Sequence, residues 1–214
     1  MTSTAAPRIW DISQPLRPAL PVWPGDTTFS ARRRWSIGDG SPVNVASFEL
    51  STHAGTHADA PMHYDADGAA ADQVGLEDYV GPCRVVDARG CGSLITRAFV
   101  DGIERPPARL LFRTYARFPH ETWRSDFTAV AAEAIALLAE RGVRLIGVDA
   151  PSLDPEDSKT MDAHHAVRAA DMRILEGLVL DDVPPGDYEL IALPLRLAGL
   201  DSSPVRAILR EWPA

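Results

Sequence analysis

From His53 to His63 the imidazole and carboxylate side chains all fall on odd-numbered positions, His53, His57, Asp59 and His63, and the polar face of the stretch before them, Ser47, Glu49 and Ser51, is odd as well. Residues two apart share a face of an extended chain. Within "HAGTHADAPMHY" (His53 to Tyr64), Gly55 and Pro61 oppose a continuous helix, although His53 and His57 alone would fit one helical turn. Upstream, Ala46, Phe48 and Leu50 alternate with Ser47, Glu49 and Ser51, the pattern of a half-buried strand. The expectation is a strand that runs into a loop, with the candidate ligands pointing into one cleft.

A single histidine in such a place is most often structural. Here three of the chain's six histidines lie within His53 to His63, in register with an aspartate, and that points to a metal. Imidazole and carboxylate donors suit zinc, and also manganese, iron, cobalt or nickel. Asp59 has two oxygens and could bridge two ions, which in hydrolytic sites stand roughly 3.5–4 Å apart. Such ions lower the pKa of water from about 15.7 toward 7 and so supply a nucleophile at neutral pH. His120, in "RFPHET", reads as a surface-loop residue. His164 and His165 follow "SLDPEDSKTMDA", a region able to complete a second metal set. Glu176 sits among apolar residues in "RILEGLVL", where a carboxylate is costly unless paired or coordinated. Spacing alone does not choose between those two states.

At 214 residues the chain suits a single domain spanning residues 1–214. Strand-like runs recur: "RIWDIS", "CRVVDA", "RLLFRT", "VRLIGVD", "YELIALPL" and "PVRAILRE". "LRPALPVWPGD" is an irregular loop. "TAVAAEAIALLAERG" is the clearest helix, with Thr128 as its expected N-cap, Ile135 and Leu138 facing the core, and Gly142 ending it. "AHHAVRAADMRILEG" has mixed helical character. The pattern predicts an α/β or α+β domain with a mixed sheet curled toward a barrel. Net charge is -9, from 30 acidic and 21 basic residues, which argues against a nucleic-acid partner; "ARRRW" reads as a solvated face. No apolar run approaches the roughly 20 residues needed to cross a membrane. "MTSTAAPRIW" has no signal-peptide pattern, so a cytoplasmic location is expected. Cys83 and Cys91 are expected to be free thiols.

"HAGTHADAPMH" carries the H-x-G-T-H-x-D-x-P-x-H pattern and resembles the cyclase-type family of metal-dependent hydrolases. "WDISQPL", "PVWPGDT", "GPCRVVD", "GVRLIGVDAPSLDP", "SKTMDAHHAV", "ILEGLVLDDVPPGDYELIALPL" and "SPVRAIL" are similar to one branch, the bacterial kynurenine formamidases (arylformamidases), and extend the likeness over almost the whole chain. The resemblance implies an α/β, cyclase-like swivelling β/β/α fold, its mixed sheet flanked by helices. It implies hydrolysis of N-formyl-L-kynurenine to L-kynurenine and formate by a homodimer with two zinc ions per subunit. His53, His57 and Asp59 would hold the first ion. Asp59 would bridge to a second, completed by Glu176 and by His164, which stands at the family's distance of twelve residues before the glutamate. His63 would be the general acid/base, and Trp23 of "PVWPGD" would line the substrate pocket. The motif does not separate this activity from that of a related amidase acting on a cyclic amide such as isatin. A non-catalytic metal store or sensor is a further alternative; His63 counts against it, because the two-metal set is complete without that residue. None of the twenty arginines stands out as a partner for the substrate's carboxylate.

Overall fold

A computed structural model of the chain describes residues 6–38 and 40–211. The first five residues, part of the segment read above for a signal peptide, lie outside the described residues. In chain order the elements are β1 (Ile9–Asp11), β2 (Ser30–Trp35), β3 (Val45–Glu49), β4 (His57–Asp59), β5 (Val80–Asp87), β6 (Leu94–Ile95), α1 (Arg97–Asp101), β7 (Arg109–Arg113) and β8 (Ala129–Val130). They continue with α2 (Ala132–Glu140), β9 (Leu145–Val148), α3 (Asp162–Ala169), β10 (Arg173–Glu176), β11 (Gly186–Ile191), β12 (Ser202–Pro204) and β13 (Ile208–Glu211).

Nine strands form one curled, mixed sheet in the order β1-β13-β11-β5-β7-β9-β10-β4-β12. The middle four, β5, β7, β9 and β10, run parallel. Antiparallel strands flank them on both sides. The parallel strands are apolar on both faces, as strands covered on two sides must be. Leu110, Phe112, Ile146, Val148 and Ile174 pack with Ala134, Ile135, Leu138 and Val167 of α2 and α3. The alternate residues Leu111, Leu145 and Leu175 join Ile12, Tyr79, Val85, Leu178, Leu190 and Leu209 on the opposite face. The expected mixed α/β sheet, curled and flanked by helices, is therefore present.

Two local expectations fail. Thr128 does not cap α2: its hydroxyl donates to the Gly92 carbonyl at 2.7 Å, and the helix starts after Ala131. Ala129 and Val130 instead pair in parallel with β6 and are fully buried there, so tertiary pairing overrides the helical pattern. The strand in "NVASFELSTH" is not half-buried either. It pairs only with β2, in a two-stranded ribbon separate from the main sheet, and Phe48 is 66% exposed. Among the described residues β3 has no strand partner but β2. Ser47 and Glu49 therefore stand on that ribbon, and the strand face does not continue into the histidines.

One close approach holds the first histidines against the sheet. Gly177 follows β10 with φ +64°, and a Cβ there would lie 2.5 Å from the Gly55 carbonyl oxygen. Thr56 Oγ1 donates to the Gly177 carbonyl at 2.6 Å and Gln14 Nε2 donates to it at 2.9 Å. Gly55 itself has φ +72°, a conformation natural to glycine. The turn carrying His53 is thus locked onto the end of the strand carrying Glu176.

Candidate metal centre

β4 lies between β10 and β12, and its register builds the site. His57 stands opposite Glu176, and Asp59 stands opposite Ile174 on one side and Ser202 on the other. His57 and Asp59 are two apart and share a face of β4. His53 comes from the turn before this strand, and His63 from the 3-10 turn Pro61–His63 after it. His164 lies in the first turn of α3, 1% exposed, whereas its neighbour His165 points to solvent. The helix face thus brings His164, and not His165, to the cluster. Asp154 fixes the start of that helix: it accepts from the Ala163 and His164 backbone N–H groups at 3.0 and 3.1 Å, and meets His164 Nδ1 at 2.6 Å.

The facing nitrogen and oxygen atoms are spaced like the edges of a coordination polyhedron. Asp59 Oδ1 lies 3.1 Å from His53 Nδ1 and 3.4 Å from His57 Nε2. Asp59 Oδ2 lies 3.4 Å from His164 Nε2. Glu176 Oε2 is 3.4 Å from His57 Nε2, and Oε1 is 3.6 Å from His164 Nε2. Zinc–ligand bonds of about 2.0–2.1 Å in a tetrahedron put neighbouring ligand atoms roughly 3.3–3.4 Å apart. Both Asp59 oxygens, His57 Nε2 and His164 Nε2 are buried and make no hydrogen bond. Buried polar atoms are nearly always satisfied, and four orphans facing one another fit a cation. The second ring nitrogen of each imidazole is engaged. His57 Nδ1 meets the Gly55 carbonyl at 3.0 Å, His164 Nδ1 meets Asp154, and His53 Nε2 meets Asp201 Oδ2 at 3.1 Å. Metal-binding histidines are oriented in this way.

Electrostatics follow from the packing. Burial would raise the Asp59 carboxyl, but the imidazoles of His164, His53 and His57 outweigh it and hold it well below the usual range. Burial opposes the proton on His53, yet Asp59 and Asp201 lift it to about 9. On His164, Asp154, Asp59 and Glu176 overcome burial and lift it to about 10. His63 is lowered, chiefly by burial and also by the charges of His53 and His164. These raised values stabilise the metal-free fold fully below the ordinary histidine pKa of 6.5, and the contribution is lost as pH rises through about 9 and about 10. The melting temperature of chelator-treated protein is therefore expected to fall between pH 7 and 10. Metal affinity is expected to rise over the same range, because the ion competes with those protons. Differential scanning and competition titrations at stepped pH check both signs.

The cluster opens into a cavity of about 360 Å³. Trp23, Tyr115, Phe118 and Trp123 contribute to its wall. Trp23 meets Trp123 edge-on with ring centroids 5.4 Å apart, and Trp123 Nε1 donates to Glu156 Oε2 at 3.0 Å. The structure thus brings together His53, His57, Asp59, His63, His164 and Glu176, with Trp23 on the same cavity. His120 stays outside the cluster, its ring 4.9 Å from Phe118. Sequence reasoning missed Asp154 and Asp201. Asp154 was within view, in "SLDP" ten residues before His164. Asp201, in "GLDSSP", shares no spacing with the motif and is found only by folding β12 against β4.

A buried histidine–carboxylate cluster at the antiparallel end of a mixed, helix-flanked sheet defines a metal-dependent hydrolase. The chain belongs to the Cyclase family: residues 10–155 match the family model described as "Putative cyclase". It is 62% identical to a kynurenine formamidase of Sphingopyxis alaskensis over 209 residues, which is 95% of this chain and 98% of that protein. Among solved structures, a "predicted metal-dependent hydrolase" from Bacillus stearothermophilus matches with TM-score 0.83 at 30% identity, covering 97% of this chain and all of that one. Isatin hydrolase A of Ralstonia solanacearum matches with TM-score 0.84 at 26% identity, covering 96% and 92%.

Proposed function

We propose that this protein hydrolyses N-formyl-L-kynurenine to L-kynurenine and formate, using two zinc ions per subunit. The observation that carries the reading is the set of unsatisfied buried donors opening onto an aromatic-walled cavity. The substrate assignment is supported by the 62% identity to a kynurenine formamidase. His53, His57 and Asp59 Oδ1 would hold one ion, and Asp59 Oδ2, His164 and Glu176 the other. When bound, the ions supply Lewis acidity toward the formyl oxygen and a nucleophile at neutral pH.

His63 moves the proton. It takes one from the water whose oxygen adds to the formyl carbon, and gives one to the aryl nitrogen as the C–N bond breaks. Its side chain is 31% exposed, which lets it reach both the cluster and the cavity. Trp23 offers a flat face to the aryl ring, a contact worth about 0.5–1.5 kcal/mol beyond area burial. Turnover of N-formyl-L-kynurenine, followed by the absorbance of kynurenine, is expected to vanish on chelation and return with zinc. Absence of turnover in folded, zinc-loaded protein would reject the substrate. A cyclic amide such as isatin is the second reading, supported by the likeness to isatin hydrolase A; comparing kcat/KM on the two substrates decides between them.

The chain acts as one domain, a reading supported by β1 pairing with β13, which ties its two ends into one sheet. Two free cysteines, Cys83 and Cys91, support a cytoplasmic location. No helix among the described residues is long and apolar enough to cross a membrane. The homodimer reading is supported by the β2–β3 ribbon, where Trp35 and Phe48 are 59% and 66% exposed and Phe29 stacks on Phe48. Exposed apolar side chains that group into a patch mark contact sites. Phe48→Asp is expected to shift the protein from dimer to monomer in sedimentation velocity without lowering its melting temperature as a monomer. A wild-type chain that sediments as a monomer would remove the basis for the dimer.

A further inference from the structure

Asp201 immediately precedes β12, and its main chain is fixed there: the Ala60 N–H donates to its carbonyl at 2.9 Å. Its side chain lies between two histidines with different tasks. Oδ2 is 3.1 Å from His53 Nε2 and 3.6 Å from His63 Nδ1. Oδ1 accepts from Thr52 Oγ1 at 3.1 Å, so the carboxylate is held from behind. The His53 and His63 rings stand with centroids 4.2 Å apart. No other carboxylate makes contact with both rings' outward nitrogens among the ion pairs of the described residues.

We propose that Asp201 is a positioning residue that orients His53 and His63 together. By accepting the N–H of His53 Nε2 it fixes the tautomer that leaves Nδ1 bare toward Asp59. The 3.6 Å approach to His63 Nδ1 is too long for a hydrogen bond, but it sets that edge of the ring toward the carboxylate. Nε2 is thereby left for the proton transfers of the reaction. Asp201 thus couples the orientation of a metal-binding imidazole to that of the acid/base. With His53 Nδ1 turned to a metal, the Asp201 carboxylate would act on it through the imidazole. The role of His63 rests on the function proposed above; the role toward His53 does not.

The test uses Asp201→Ala and Asp201→Asn in the full chain. Alanine removes both acceptors. Asparagine keeps one oxygen to accept from His53 and serves as the conservative rescue, and as the fallback should the alanine variant fail to fold. Three experiments are read: zinc affinity by chelator competition, the imidazole tautomers by long-range 1H–15N spectra, and steady-state kinetics (kcat and KM) on N-formyl-L-kynurenine. In metal-free Asp201→Ala above about pH 9, where the His53 imidazole is neutral, His53 is expected to lose its single Nε2–H tautomer. Zinc affinity or kcat is expected to fall roughly 10–100-fold, the scale of a lost partner to a metal-bound histidine. KM should stay within about twofold, and asparagine should restore most of both losses, on that same scale. An unchanged His53 tautomer and unchanged kcat would overturn the proposal. So would loss of a full equivalent of zinc at saturating metal, which would make Asp201 a ligand, or a loss confined to KM, which would make it a substrate contact. If the wild-type chain does not hydrolyse the formamide, the function reading falls, while zinc affinity and tautomer still judge Asp201.

Discussion

Alanine at His63 is expected to lower kcat by roughly 10²–10⁴-fold, the usual contribution of a positioned acid/base, while the protein keeps its metal. The expectation follows from the geometry. Within the cluster the buried atoms without a hydrogen bond belong to His57, Asp59 and His164, while His63 is exposed and borders the cavity. His63 also reaches within ligand distance of Asp59 and His164, so the alternative role, a third ligand, has structural content. Metal analysis separates the two. Full metal with little turnover marks an acid/base, and parallel loss of metal and turnover marks a ligand. The side chain is 31% exposed and ends a short 3-10 turn, so its removal should move the melting temperature little. Retained kcat would assign the proton transfers elsewhere.

Asp59→Ala is expected to lose metal outright, with turnover reduced about 10³-fold or more. The loss is large because the drop of roughly nine units in the pKa of water goes with the ions. Among the ion pairs of the described residues, no other carboxylate faces three imidazoles: His53 and His57 at one oxygen, His164 at the other. Without it, His53 and His164 lose part of what lifts them to about 9 and about 10. The fold should survive, because the flanking Ala58 and Ala60 are buried and the pairing of β4 uses main-chain groups. Metal content by emission spectroscopy, with circular dichroism as the fold control, checks this. Two retained ions with full activity would end the bridging assignment.

Much of the site was legible in the sequence because the motif is local. His53, His57, Asp59 and His63 fall within eleven residues, and the alternation of His57 with Asp59 is that of the strand they occupy. His164 against His165 was open to spacing, and the side of α3 that meets the sheet brings His164 to the cluster. Asp154 was within view, ten residues before His164, but Asp201 was invisible because its contact with His53 is tertiary and nothing in a lone aspartate announces its partner. The reading of β3 failed for a related reason. Alternation reports that one face is apolar but not what covers it, and the Phe48 face points away from this chain's core. Thr128 failed because a good capping residue was outcompeted by strand pairing two positions later.

The placement of β4 has a consequence for how the molecule is made. Its neighbours come from residues 173–176 and 202–204, so the two borders of the motif strand are both supplied by the last fifth of the chain. A chain emerging from the ribosome displays His53 to His63 long before Glu176 or Asp201 exists. Domains form as units when their partners arrive, and here the arrival of β12 is the closing event. A nascent or truncated chain therefore carries the motif without the pocket, and the capacity to retain an ion becomes a certificate that synthesis has reached the far end.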